Sequence, residues 1–291
     1  MSLPKSDFRS SPDIRPSPIA GRWYPSDPQR LVSSIEEFIQ AAELPEFEGE
    51  VIGIMVPHAG HQYSGPVAGY AFAALRGLSP EVVAVVSPMH YPYHQPIITS
   101  RHHAYETPLG LIPVDRPALE SLDLRLEERL GYGLSPVSED PEHSLEIELP
   151  FLQRALSAPF ELLPLMLRAQ TASVARTLGE ELAEVLRNRR SLLVASTDLS
   201  HFYTQVAAHK LDSEILRQVA NFNPEGVLEA EEEGRGFACG KGALAAVMWA
   251  AKALGANRSL VVRYATSGDV TGDFHQVVGY GAALFIHQGK S

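Results

Sequence analysis

Short runs of apolar residues, each closed by a polar turn, recur along the chain with longer amphipathic stretches between them. The runs at 51–56, 82–86 and 192–195 are apolar on both faces, as strands buried inside a largely parallel sheet are. Two further strands are predicted at 259–265 and 277–286, and a smaller hairpin from 97–100 and 110–114. Helical spacing predicts a helix over 28–42, where Leu31, Ile35, Phe38 and Ile39 recur, and another over 66–76. Five more are expected at about 116–126, 141–157, 171–188, 204–220 and 238–254. The alternation predicts an α/β fold, a layered sheet with helices on both faces. Residues 1–16, rich in proline, read as an extended arm. Residues 17–288 read as one domain, because no linker rich in Gly, Ser or Pro interrupts them.

Composition narrows the classes. A hydrophobic share of 45% with 20% charged residues suits a globular protein with a large core. The net charge of −11 and the lack of a basic stripe argue against a nucleic-acid partner. The single cysteine excludes an internal disulfide and fits a reducing compartment. The stretch at the start is polar and proline-rich, without the apolar segment of a secretory signal. The longest nearly apolar stretch, 242–255, is short of the roughly 20 residues a membrane span needs. A cytoplasmic protein without a membrane partner is expected.

The candidate chemistry lies where the predicted strands end. His58, His90 and His201 each follow such a strand by a few residues, and ligands of open α/β sheets bind outside the carboxyl ends of the strands. Three imidazoles on neighbouring strands would meet at one edge. Cys239, between Ala238 and Gly240, sits at a predicted helix start, where the helix dipole favours a thiolate. Thiolate with imidazole suits zinc, copper or iron, whereas a buried inert cysteine is the plainer alternative. In Asp140-Pro141-Glu142-His143-Ser144-Leu145-Glu146, Asp140 looks like an N-cap and Pro141 like the first helical residue. His143 then falls in the first turn, where the dipole keeps it neutral and able to accept a proton. Asp198, three residues before His201, either orients that imidazole or caps the next helix. Arg22, Tyr24, Tyr63 and Ser64 lie near predicted loop tops and are candidates to face the cleft. No Gly-x-Ser-x-Gly elbow, dinucleotide fingerprint or Walker-type loop is present.

Read together, eight motifs match one family in order: Ala20-Gly21-Arg22-Trp23-Tyr24-Pro25, Pro57-His58-Ala59-Gly60, Tyr63-Ser64-Gly65, Glu106-Thr107-Pro108-Leu109-Gly110, Glu142-His143-Ser144-Leu145-Glu146, Asp198-Leu199-Ser200-His201, Cys239-Gly240 and Thr266-Ser267-Gly268-Asp269. The chain resembles the Memo family (AmmeMemoRadiSam system protein B). The resemblance implies a fold like that of the class III extradiol ring-cleaving dioxygenases, which are non-haem iron enzymes. It implies metal ligands His58, His90 and Cys239, with His143 and His201 handling protons and dioxygen. Those dioxygenases use two histidines and a carboxylate; the thiolate expected here makes copper or zinc alternatives to iron. His61 and Met89 depart from the family pattern, and His61 is a candidate extra ligand or a group behind the ligands. The reading is a metal-dependent, dioxygenase-like oxidoreductase with a small molecule or peptide in its cleft. A binding or scaffold module for phosphopeptides with a vestigial metal site, and a zinc-dependent hydrolase, are the alternatives.

Overall fold

The structure is a computed structural model, and it describes residues 14–138 and 140–289. The chain runs β1 (Ile14–Arg15), α1 (Pro28–Gln40), β2 (Glu50–Val56), α2 (His61–Ala73), β3 (Val82–Pro88), β4 (Ile97–Ser100), β5 (Ala104–Thr107), β6 (Gly110–Pro113), α3 (Arg116–Leu130) and β7 (Ser135–Val137). A single 3-10 turn at Glu146–Glu148 leads into α4 (Leu149–Ala155), β8 (Glu161–Leu167), α5 (Ala172–Leu186), β9 (Ser191–Ser196), β10 (His201–Tyr203) and α6 (Gln205–Ala220). The chain continues through α7 (Pro224–Glu232), α8 (Lys241–Ala253), β11 (Arg258–Thr266), α9 (Gly268–Thr271) and β12 (Val277–His287).

The main sheet has nine strands in the order β10-β12-β2-β9-β3-β8-β4-β7, with β11 on the other side of β12. Its centre, β2-β9-β3-β8, is parallel. Antiparallel β12 flanks it at one side and antiparallel β4 at the other. Valines 82, 83, 85 and 86 are fully buried, as are Leu193 and Val194, so the two-faced apolar runs are inner strands covered on both sides. Helix α2, backed by α1 and α4, packs against one face; α8, backed by α5 and α7, packs against the other, with α6 beside it. This is the expected α/β layering. Gly179 sets the spacing of the second layer: a Cβ there would lie 2.4 Å from the Ala246 carbonyl oxygen, so only glycine lets α5 approach α8 this closely.

Helix α1 forms as its sequence dictates. The Asp27 side chain caps it by accepting from Arg30 N–H at 2.9 Å, Pro28 takes the first position, and Leu31, Ile35 and Ile39 bury one stripe. Elsewhere the structure departs from expectation. Strand 97–100 does not pair with 110–114. It joins the main sheet, and Gly110–Pro113 forms its hairpin with Ala104–Thr107, in a small separate sheet with β1. Strand β8 is an inner strand that carries Pro164, a residue normally confined to edges. The Pro164 carbonyl is used all the same, accepting from Thr99 Oγ1 at 2.7 Å. Helix α2 starts five residues before Pro66 and includes it; the carbonyl that Pro66 leaves without an N–H belongs to exposed Gln62, where water can serve it. The helix expected over 141–157 begins only at Glu146, for a reason that lies in the site. Of the expected arm, residues 1–13 lie outside the described residues, and Ile14–Arg15 dock as β1 against β5. Among the described residues no helix is long and apolar enough to cross a membrane.

Candidate metal centre

Strands β2, β9 and β3 are neighbours, so their carboxyl ends deliver His58, the segment 197–201 and His90 to one edge. The His58 ring is 1% exposed, with Nδ1 2.9 Å from Ser196 Oγ and Nε2 3.2 Å from Cys239 Sγ. His90 presents Nδ1 to Glu142 Oε1 at 2.9 Å, and its backbone N–H donates to Glu142 Oε2 at 2.6 Å. Ligand-type atoms of His58, His90 and Cys239 all lie within 4.8 Å of one another. Donors bound about 2.0–2.3 Å from one metal stand roughly 3–4 Å apart, so the 3.2 Å contact suits a shared ion. The expected convergence of two imidazoles and a sulfur is present.

Cys239 lies just before Gly240, the N-cap of α8. Its Sγ accepts from Asp198 N–H at 3.2 Å. A Cβ on Gly240 would sit 2.7 Å from the Ser196 carbonyl oxygen, so glycine is what lets this turn press against the end of β9. The expected easing of thiolate formation by the helix start is outweighed: burial pushes the thiol up, and the nearby Asp198 charge adds to it.

Asp140 and Pro141 begin no helix. The Glu142 carboxylate turns back on its own loop and accepts from His143 N–H at 3.0 Å and Ser144 N–H at 2.9 Å, taking the donors a helix start would offer. Burial alone would raise the Glu142 pKa, but the His90 hydrogen bond and charge, the His143 charge and the Ser144 N–H outweigh it and hold it at about 2. Glu142 also groups with His90 and His143 as potential ligands. Its oxygens are already engaged by four donors, which makes it an orienting carboxylate for His90. Asp140 instead pairs with buried Arg15 at 2.9 Å. Glu146 accepts from Arg15, Ser17 and Tyr24, tying 15–24 to this loop. Trp23 closes the wall, its ring centroid 4.1 Å from that of His143, which in turn stacks on His90 at 4.8 Å. His143 is neutral as expected, but the cause is not a helix dipole. Burial takes its pKa to about 4, with Glu142 opposing and His90 assisting.

Asp198 does not hold the His201 ring. Its Oδ1 accepts from the His58 backbone N–H at 2.8 Å, and burial raises its pKa to about 7. His201 packs against Phe202 and Phe237, with Nδ1 buried and without a hydrogen-bond partner. Burial lowers its pKa, with the His90 charge adding to the shift. A cleft of about 490 Å³ opens beside the cluster, lined by Arg22, Trp23, Gly60, Tyr63, Phe202 and Tyr280 among others. Tyr24 and Ser64 are turned away from it, to Glu146 and the Ala59 carbonyl. His61 is buried between Tyr24 and Phe151 with Nε2 3.2 Å from the Ile147 carbonyl, and Met89 is a core residue. Neither joins the cluster.

The chain is similar to known proteins over most of its length. A family profile described as Memo-like protein matches residues 15–284. The chain belongs to the Memo family. A MEMO1 family protein of Nitrosopumilus maritimus is 35% identical over 94% of this chain and 100% of its own length. One from Methanopyrus kandleri is 34% identical over 92% and 97%, and one from Pyrobaculum aerophilum 31% over 94% and 99%. In this Memo-family chain, sequence reasoning missed Ser196, Ser144 and Glu148 behind His58 and the orienting role of Glu142. The motif Glu142-His143-Ser144-Leu145-Glu146 contained two of them, but a helix reading hid their direction.

Proposed function

We propose that His58, His90 and Cys239 hold one divalent metal ion and that the protein is a metal-dependent, dioxygenase-like oxidoreductase. The observation that carries this reading is a donor set within 4.8 Å whose two imidazoles are each engaged at Nδ1 by Ser196 or Glu142, with His58 Nε2 turned to Cys239 Sγ at 3.2 Å. When bound, the metal supplies Lewis-acid and redox chemistry. Iron is the ion proposed, and the sulfur donor makes copper and zinc the alternatives.

The protein groups around it divide the remaining work. His201 and His143 are neutral by burial, so each can accept a proton from a substrate hydroxyl in the cleft and return it. The Trp23 and His90 rings both pack against the His143 ring. Asp198 anchors the His58 backbone and acts as a positioning residue. Apolar side chains at the cleft wall limit water around the reacting group.

Metal analysis of protein purified without oxygen, coupled to oxygen uptake, tests the proposal. Stoichiometric iron, with oxygen uptake lost in His90→Ala and Cys239→Ala, is expected. Zinc as sole native metal with no response to oxygen would move the reading to hydrolysis, where three ligands and a water suffice. Full metal content in His90→Ala would remove the ligand assignment.

A further inference from the structure

A carboxyl group that this chemistry does not use lies directly behind the centre. Glu148, last residue of the 3-10 turn, is 1% exposed, and Ser196 Oγ stands 2.9 Å from its Oε1. Ser196, fully buried at the end of β9, also places Oγ 2.9 Å from His58 Nδ1 and 2.6 Å from the Ser144 carbonyl oxygen. A hydroxyl has one proton to give and two lone pairs to receive with. The Ser144 carbonyl can only accept, and its contact is the shortest of the three, so the Ser196 proton is committed there. Two lone pairs remain, one for His58 Nδ1–H and one for a carboxylic acid O–H of Glu148. Burial acts in the same direction, holding Glu148 well above the usual carboxylate range; the Ser196 hydroxyl opposes this and the Asp198 charge reinforces it.

We propose that Glu148, acting through Ser196, is a positioning residue that fixes His58 with its proton on Nδ1 and its lone pair on Nε2, aimed at Cys239 Sγ. The proposal rests on the reading of the cluster as a metal centre. His90 is oriented by an anion, Glu142, whereas His58 is oriented by a neutral relay in the core. The relay adds no further negative charge behind the cluster, beside the carboxyl groups of Glu142 and Asp198 and the Cys239 sulfur. An isolated acid in the interior is costly to folding, and a leucine in its place would cost less. A glutamine can replace the acid in the relay, because its amide N–H donates to Ser196 as the acid does.

Cobalt(II), titrated into the metal-free protein and followed by its ligand-field absorption, tests the relay. Glu148→Gln should bind within about threefold of wild type, while Glu148→Leu and Ser196→Ala should each weaken binding about 10- to 100-fold. The double variant Glu148→Leu/Ser196→Ala should bind no more weakly than Ser196→Ala alone, because Glu148 acts only through the serine. In the unmutated apo-protein, nitrogen NMR of His58 should show the proton on Nδ1, a readout that holds even if Glu148→Leu fails to fold. The relay is overturned if Glu148→Leu matches wild type, if the two losses add in full, or if the proton is found on Nε2. Wild-type protein that takes up no cobalt at this cluster would bring down the metal reading and the relay with it; wild-type binding matched by Glu148→Leu brings down the relay alone.

Discussion

His61 shows what burial of a single imidazole does when no metal or substrate compensates it. Its environment depresses the pKa to about 4, so the unfolded chain takes up a proton near pH 6.5 that the folded chain refuses until much lower pH. Stability contributed by keeping His61 neutral is complete above pH 6.5 and is lost as pH falls from there to about 4, up to roughly 3 kcal/mol. His61→Phe, placed between the Tyr24 and Phe151 rings, should therefore lose less stability than wild type between pH 7 and pH 4.5. Urea unfolding at several pH values measures it, and parallel pH slopes would refute the account. Glu142 works in the opposite sense, as an anion held by four donors around His90. Glu142→Gln puts an N–H where an acceptor is needed and should lower metal affinity by about 10- to 100-fold, a loss visible in the same cobalt titration.

The elements are held to the site by a few long-range ties. Arg15 in β1 meets Asp140 and Glu146 with all three groups buried. Removing one partner of such a cluster leaves uncompensated buried charge and costs about 3–5 kcal/mol. Arg15→Met should lower the thermal midpoint, loosen the loop that carries Glu142 and His143, and weaken Trp23 packing, which Trp23 fluorescence reports. An unchanged midpoint would show that the cluster is not a structural tie. Much of the element plan was legible in the chain. Leu31, Ile35 and Ile39 announce α1, and the valines of β3 announce a strand buried on both faces. The legible part of the centre was the rule that imidazoles follow strand ends. What was hidden depended on distant partners. Asp140-Pro141 imitates a helix start, yet the Glu142 side chain captures the donors. Pro164 disguises β8, whose place is fixed only by pairing with β3 and β4. The Ser196–Glu148 contact joins residues 48 positions apart, which no local pattern reveals.

Over the whole molecule, the proposed ligands come from the ends of β2 and β3 and from the turn before α8, so one ion would cross-link three distant parts of the chain. Metal at 100 times its dissociation constant should stabilise the fold by about 2.7 kcal/mol, raising the melting midpoint by roughly 5–10 °C. Differential scanning calorimetry with and without a chelator checks this, and Cys239→Ala should show no such rise. Strand β12 is translated after every other strand of the described residues, yet it occupies an inner place between β2 and β11. Until residue 287 leaves the ribosome, the backbone groups of β2 that pair with β12 have no partner, and β11 has no strand neighbour among the described residues. A stalled or prematurely terminated nascent chain would expose those bare edges together with Ile54 and Met55, which makes it a substrate for chaperones and a seed for aggregates.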